Sequence, residues 1–431
     1  MKIKIPKLQW VIAALLFAAT ALNYLDRQAL AVVSVDIRHE FSLNEEDYSQ
    51  IVMLFLFAYA IMYAGSGYIV DRLGTRRGLG VFIFGWSVAQ MLHGLVSGKW
   101  SLGACRFLLG LTEPANWPAA AKAVAEWFPA SQRALGIGIF NAGSSLGSAL
   151  ASPVVAFVAI RFGWRSAFVF TGILGFAWLA AWLILYEPPH RNRWLKASEY
   201  AALKDHVQSP EGTAPVRTKI DWLRVLRDRG CWVLIIARFF TDPVIYFAIF
   251  WLPEYLRKER GFDLAMVGEY AWVPFAVGGF GYIAGGWLSG RLIDSGWTLP
   301  RSRKFVMALG ASVMPVVIFA PRVPATWMAL TATCFLTVGH AFWIANEQAL
   351  PTDLFPGAEV ATASGFTGVG GAVGGMLANL GTGYLVSHFS YTPVFLIAGL
   401  MHPLSACLVY WLLPDKEFQR KAATIEAPSA A

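Results

Sequence analysis

Four ionisable residues stand where the surrounding sequence is apolar. Asp26 and Arg27 close the stretch NYLDR, residues 23–27, between WVIAALLFAATAL and QALAVV. Arg106 and Glu113 lie in RFLLGLTEPANWPAA, residues 106–120. A charge at mid-bilayer costs at least about 2.5–3.5 kcal/mol, so such side chains turn to one another, to a bundle interior or to a water-filled path. Adjacent residues of a helix point about 100° apart, so Asp26 and Arg27 need different partners. Arg106 and Glu113 are seven positions apart and share one helix face. The bland reading is a pair of salt bridges that hold helices together. The chemical reading gives the arginines an anion, because the planar guanidinium offers a carboxylate two parallel hydrogen bonds. It gives the acids a proton, because a carboxyl in a partly dry pocket exchanges one near neutral pH.

These residues need helices that cross a membrane, and the composition supplies them. Of 431 residues, 56% are hydrophobic and 14% charged, against about 25% charged in a soluble domain. Apolar runs of bilayer-crossing length recur twelve times, near 10–34, 48–70, 78–97, 100–122, 134–159, 166–186, 230–256, 267–290, 303–320, 325–350, 360–388 and 391–413. Backbone in lipid must satisfy its own hydrogen bonds, so the runs read as helices. The alternating strands of a membrane barrel are absent from the pattern.

The net charge of +8 is topological. An even number of spans puts both termini on one side. The loops of that side hold 24 of the 35 Lys and Arg, the opposite loops hold 8, and Arg27, Arg106 and Arg238 lie inside spans. By the positive-inside rule the side of the termini is cytoplasmic. The same distribution argues against nucleic acid as a partner. The N-terminus, Lys-rich then apolar, has no small-residue cleavage site and reads as an uncleaved first span. Cys105, Cys231, Cys334 and Cys407 fall in or beside apolar runs without metal-ligand spacing, and read as small packed hydrophobes.

Residues 187–229 are polar and basic with Pro and Gly, and read as a cytoplasmic linker in which WLKASEYAALKD suggests a surface helix. The expected organisation is a six-helix half at 1–186, the linker at 187–229, a second six-helix half at 230–413 and a short cytoplasmic tail at 414–431. The halves repeat. At an offset of 227, Phe128 and Pro129 fall on Phe355 and Pro356, Gly143 and Gly147 on Gly370 and Gly374, and Phe162, Phe168 and Gly172 on Phe389, Phe395 and Gly399. The fold class is an all-α integral membrane protein of twelve helices in two pseudo-symmetric halves. Such repeats place a binding site at the midplane.

Other polar residues inside spans complete the candidate set. Tyr24, Tyr59, Asn141 and Ser144 can hydrogen-bond hydroxyl groups or serve the core equally well. Gly136, Gly138, Gly143 and Gly147 suit close helix packing. In the second half Arg238, Asp242, Trp343, Asn346, Glu347 and Thr367 are embedded. Arg238 and Asp242, four apart, can pair along one helix. Glu347, near the cytoplasmic end of its span, reads as a gate or interface residue. At offset 227 Arg106 and Glu113 fall on Thr333 and His340, so the second half lacks that pair. His340 reads as hydrogen-bonded structure.

No HExxH, Walker loop or CxxC is present, and the GxSxG string GSSLG at 143–147 stands inside an apolar run, so the chain does not read as an enzyme, an ATP-driven pump or a cofactor carrier. GYIVDRLGTRR, residues 67–77, resembles the signature between spans 2 and 3 of the major facilitator superfamily, G-x-x-x-D-R-x-G-x-R-R, with Gly67, Asp71, Arg72, Gly74, Arg76 and Arg77 in place. Its physical sense is a cytoplasmic latch, an acid near a helix end with arginines tying ends together. The second half keeps GGWLSGRLID, with Gly290 at the place of the acid. NYLDR, RFLLGLTEPANWPAA, EWFPASQRALGIGIFNAGSSLG and WLPEYL together resemble the anion:cation symporter family over essentially the whole chain, and its bacterial hexuronate transporters above all.

The resemblance implies a secondary transporter of the bacterial inner membrane, working as a monomer. It would import a sugar-acid anion, galacturonate or glucuronate, with protons as the coupling ion and no cofactor. Galactonate or another monocarboxylate, and anion exchange, are the alternatives. Interior acids count against an exchanger, which needs no proton carrier. Carried over by position, Arg27 and Arg106 would handle the carboxylate or gate it, and Asp26 and Glu113 would carry protons. Tyr24, Tyr59, Asn141 and Ser144 would line the pocket from the first half, and Trp343, Asn346 and Thr367 from the second.

Overall fold

A computed structural model describes residues 7–203, 221–262, 266, 269–416 and 418–419, and the regular elements among them are helices. Ten are long and apolar enough to cross a membrane: Leu8–Val32, Gln50–Leu73, Thr75–Leu95, Ala130–Phe162, Trp164–Leu185, Arg229–Phe250, Leu299–Phe319, Thr326–Leu354, Val360–His388 and Tyr391–Leu412. They are spans 1–3, 5–7 and 9–12. Span 8 is the glycine-rich helix Val273–Asp294. Span 4 is broken into Lys99–Thr112, a 3-10 turn Glu113–Ala115, and Asn116–Trp127. Pro114 supplies the break, because it has no N–H to donate and its ring crowds the carbonyl one turn back.

Some boundaries moved. The seventh span, expected to reach 256, stops at Phe250, and a separate polar helix with Pro in its first turn, Leu252–Arg260, follows. Asp228 caps span 7 by accepting from the Gly230 and Cys231 amides. The expected linker helix is found at Ala197–Leu203. The linker between 204 and 220 and the tail beyond 419 lie outside the described residues. Spans 2 and 3 meet at Gly74, whose φ of 78° turns the chain without a loop.

Lipid tails are as apolar as leucine, so membrane helices associate by close packing at small residues. Here the crossings are built in matched pairs. A β-carbon at Gly143 or Gly147 would stand 2.2 Å from the carbonyl oxygen of Phe17 or Ala21, and one at Gly370 or Gly374 would stand 2.2 Å from that of Ile235 or Phe239. Span 11 follows span 5 at the offset of 227, and the contacts on span 7 follow those on span 1 at 218 (235 against 17, 239 against 21). The crossing of spans 1 and 5 is therefore built again by spans 7 and 11.

A second crossing is also duplicated. Gly67 of span 2 meets the Ala361 carbonyl of span 11 at 2.1 Å, and Gly365 meets that of Tyr63 at 2.7 Å, by the same β-carbon measure. Gly286 of span 8 meets the Ala134 carbonyl of span 5, and Gly138 meets that of Tyr282, each at 2.2 Å. Span 8 follows span 2 at an offset of 219 (286 against 67, 282 against 63), and the partners again differ by 227.

The chain forms two compact units shaped by these crossings. One is Met1–Trp127, Gly143–Trp222 and Gly357–Gly365; the other is Phe128–Ala142, Leu223–Pro356 and Phe366–Ala431. Each takes the first turns of one long span from the other half of the sequence. An apolar core in the first unit includes Trp164 and Phe168, and one in the second includes Tyr391 and Phe395, their equivalents at offset 227.

Overpacking a tight site costs about 1–3 kcal/mol and occasionally more. Gly147→Leu is expected to lower the melting temperature of the detergent-solubilised protein. Gly381→Leu, whose β-carbon meets nothing within 4 Å, is expected to leave it unchanged or higher. Fluorescence-detected size exclusion after a heating series measures both, and equal melting of the two variants would remove the crossing from the account.

Candidate functional site

Arg27 is the centre of the first unit's polar interior. Its Nε and Nη2 donate to Glu113 Oε2 at 3.1 and 2.9 Å, and Nη2 also donates to Asn23 Oδ1 at 3.3 Å. The Glu113 side chain is fully buried, while that of Arg27 is 23% exposed. The rings of Tyr24, Phe55 and Tyr59 stand 5.2, 5.5 and 4.7 Å from the guanidinium carbon. Such ring faces attract a cation while shedding water from it. The Tyr59 hydroxyl accepts from Trp117 Nε1–H at 2.9 Å and retains its own proton to donate. Span 1 thus carries the cation and span 4 the acid, and the break at Pro114 sets Glu113 in the 3-10 turn.

Arg106 and Glu113 keep the register expected for them, because the α-helix runs from Lys99 to Thr112 and Glu113 continues it as a cap whose N–H bonds to the Leu109 carbonyl, so the break begins after Glu113. Arg106 is buried, its guanidinium carbon 6.0 Å from the Phe168 ring, and its Nε and Nη2 have no hydrogen-bond partner. Asp26 is fully buried, and the Thr171 hydroxyl stands beside its carboxylate without meeting strict hydrogen-bond geometry. Buried polar groups without partners are costly and rare, and they concentrate where function requires them. Ser144 is half-buried on span 5.

At the end of span 2, Asp71 holds the first turn of span 11. Its carboxylate accepts from the Ala361 amide at 3.3 Å, and from the Thr362 amide and hydroxyl at 2.6 Å each. Lys122 completes it at 2.7 Å. A carboxylate on first-turn amides satisfies donors that the helix itself cannot. Of the signature arginines, Arg76 ties this end to span 6 through Glu187 at 3.0 Å and the Leu183 carbonyl, and Arg72 and Arg77 are exposed. Lys122 and Arg133, sorted with the loops by sequence, are buried instead. The AAAKAV context of Lys122 was the signal for this.

In the second unit, Asn141 donates to Gln348 Oε1 at 2.8 Å, joining spans 5 and 10. Gln348 was not among the expected residues. Asn346 is fully buried and donates to the Gly285 and Phe342 carbonyls. Trp343 is fully buried with its ring 5.6 Å from His402, which pairs with His340 at 3.2 Å. These contacts place Trp343 and Asn346 in the packing of span 10 against spans 12 and 8. Thr367 is 2% exposed. Arg238 and Asp242 do pair along span 7. Glu347, expected as a gate or interface residue, is buried 4.0 Å from Arg238. At the loop end Asp353 accepts from both Arg133 and Arg303.

Twelve membrane helices in two repeated halves, with buried charges on facing helices, define a membrane transporter. The chain belongs to the major facilitator superfamily, whose family profile matches residues 16–378 and 295–429. It is 31% identical over 420 residues to the hexuronate transporter of Escherichia coli K12, covering 96% of each chain. It is 31% identical over 313 residues to the galacturonate transporter of Dickeya chrysanthemi, covering 72% of this chain and 90% of that one. The solved structure of the proton:xylose symporter XylE bound to 6-bromo-6-deoxy-D-glucose has the same fold, with a TM-score of 0.74 at 17% identity over 97% of this chain and 99% of that chain.

Removing one partner of a buried ion pair strands the other charge, at about 3–5 kcal/mol. Arg27→Gln is expected to depress the melting temperature, and Arg27→Gln with Glu113→Gln to recover most of the loss, because the second change removes the stranded charge. A double variant that melts no higher than the single one would contradict the pairing.

Proposed function

We propose that this chain is a proton-coupled symporter that imports a hexuronate, galacturonate or glucuronate, across the bacterial inner membrane by alternating access. The charge distribution of the loops supports a cytoplasmic side for both termini and the basic linker. Protons are the coupling ion, and the path belongs to one chain.

The observation that carries this reading is the engagement of Arg27 by Glu113 inside a cage of three rings. An arginine whose fork is occupied by a fully buried acid cannot at the same time take a substrate carboxylate in the bidentate geometry. A proton on Glu113 removes the charge that holds the fork, and the guanidinium then turns to the substrate. When the proton leaves, Glu113 reclaims Arg27 and the anion is released. Proton and anion are thereby bound together and lost together, which is the requirement of symport.

Asp26 lies one residue away, fully buried beside the Thr171 hydroxyl and without an ion-pair contact to a base among the described residues, which suits a second participant in the proton's passage. Arg106 supplies a further positive charge for the anion. Tyr24 and Tyr59 present hydroxyls and ring faces to a sugar ring, and Asn141 and Ser144 add amide and hydroxyl groups. The relatives named for hexuronate and galacturonate support the substrate class.

The test is uptake of labelled galacturonate into proteoliposomes with and without an inward proton gradient, with glucuronate, galactonate and glutamate as competitors. Gradient-driven accumulation collapsed by a protonophore, and blocked best by glucuronate, is expected. Glu113→Gln is expected to abolish uphill uptake while counterflow persists, because glutamine imitates the protonated acid. Uphill uptake by that variant at the wild-type level would remove Glu113 from coupling. Accumulation that ignores the gradient would sink the symport reading altogether.

A further inference from the structure

Three charged groups meet inside the second unit, away from Arg27. Arg238 Nε and Nη2 donate to Asp242 Oδ2 at 3.1 and 2.6 Å. Glu347, the last residue of the helix Thr326–Glu347 within span 10, stands 4.0 Å from Arg238 Nε. That separation is an ion contact and too long for a hydrogen bond. Neither oxygen of Glu347 has a hydrogen-bond partner, and neither has Asp242 Oδ1. The Glu347 side chain is fully buried, whereas those of Arg238 and Asp242 are each 9% exposed. Gly371 of span 11 makes room for this arrangement, since a β-carbon there would lie 1.8 Å from Asp242 Oδ2.

The charges do not balance. One guanidinium faces two carboxyl groups, and its bonds go to one of them. A buried carboxylate without a donor is far more costly than its neutral acid. The cluster is neutral with one proton on an acid and carries a charge of −1 without it. Because the fork serves one carboxylate at a time, either acid can hold the proton while the other holds Arg238. The charges that act on Glu347 are those of Arg238 and Asp242. Along its own helix His340 lies two turns away and is bonded to His402 of span 12. On spans 8 and 9, which also pack on span 10, the charged residues Arg291, Asp294, Arg301, Arg303 and Lys304 stand toward the connecting loop, where Arg303 is taken by Asp353 and Lys304 by Asp415.

The cluster is also no copy of the first one. The crossings map span 1 onto span 7 at 218, which puts Arg238 at the place of Thr20. That is seven residues, about 10 Å of helix, from the place of Arg27. The two halves therefore carry their charges at different depths.

We propose that Glu347, sharing Arg238 with Asp242, is a second proton-carrying site of this transporter, separate from the Arg27–Glu113 pair. The inference rests on the proton-coupled reading above. The step is a proton transfer alone: water at one face gives a proton to the cluster, past the partly exposed pair to Glu347, and the cluster returns it to water at the other face.

The experiment measures how far galacturonate accumulates at static head in proteoliposomes as the inward pH gradient is varied. The potential is clamped at zero with valinomycin and equal potassium. Each coupled proton multiplies the accumulation ratio by about ten per pH unit. The ratio does not depend on turnover, so slow variants still report it. The wild type is expected to show more than one proton per anion. Glu347→Gln and Asp242→Asn are each expected to lose one proton from that slope, because either leaves Arg238 with a single acid and no proton to share. A wild-type slope of one proton, or variants with the wild-type slope, would overturn the proposal while leaving coupling at Glu113 intact. A wild-type slope of zero would instead show that proton coupling itself had failed, and the second site with it.

Discussion

An arginine in the apolar part of a helix must find its counter-charge on another helix, and much of the first unit follows from that demand. Arg27 sits among Tyr24, Phe55 and Tyr59, and its fork reaches span 4 for Glu113. The break in span 4 serves the same demand, since Pro114 opens the helix where the carboxylate is needed. Asn23 then bonds to both partners, accepting from Arg27 and donating to the Glu113 carbonyl. Trp117, one turn on, is held by Tyr59. A pair so enclosed is expensive to form and more expensive to break. That makes it suited to a role in which a proton, rather than thermal motion, decides whether it is intact.

The scaffold and the chemistry differ in how far they repeat. Backbone crossings at glycine recur in the two halves at constant offsets, down to the individual carbonyls. The charges do not recur. Arg27 and Glu113 bridge two helices, whereas Arg238 and Asp242 share one, with Glu347 brought in from a second. Close packing tolerates little change once set, because a β-carbon at any of these glycines would collide with backbone. A polar side chain directed into an interior cavity has more freedom to be lost or gained. This contrast accounts for a repeat that is visible in Gly143 and Gly370 and invisible in Arg106 and Glu113.

The fold was largely legible in the sequence. Twelve apolar runs and the repeat at 227 pointed to the fold class of membrane helices in two repeated halves, since the cost of polar groups in lipid leaves few alternatives. The signature at 67–77 pointed to an acid-based latch, but its partners were not legible. Lys122 and the first amides of span 11 lie 51 and about 290 positions away, a separation that no local pattern encodes. The site was legible as a set of residue types and obscure as a set of pairs. Arg106 and Glu113 were legible as neighbours on one helix face, but the engagement of Glu113 by Arg27 of span 1 was not. Trp343 and Asn346 were carried over by position from the family resemblance as pocket walls. Their surroundings are His402 and the Gly285 carbonyl, which only the tertiary fold brings to them.

The seam between spans 2 and 11 has an uneven resistance to being undone. Where Gly67 and Gly365 press on carbonyls of the facing helix, each carbonyl keeps its own bond within its helix, and the extra contact is of the weak Cα–H kind. Separating that part strands no donor or acceptor. Asp71 is different, because its withdrawal leaves first-turn amides of span 11, a hydroxyl and an ammonium group all without their acceptor. The polar cost of separation is thereby gathered onto one carboxylate instead of being spread along the contact. The equivalent seam of spans 5 and 8 has Gly290 at that position and no such clasp, so its parting is limited by other groups, among them the Asp353 bridges to Arg133 and Arg303. Two seams of one geometry can in this way run on two different clocks.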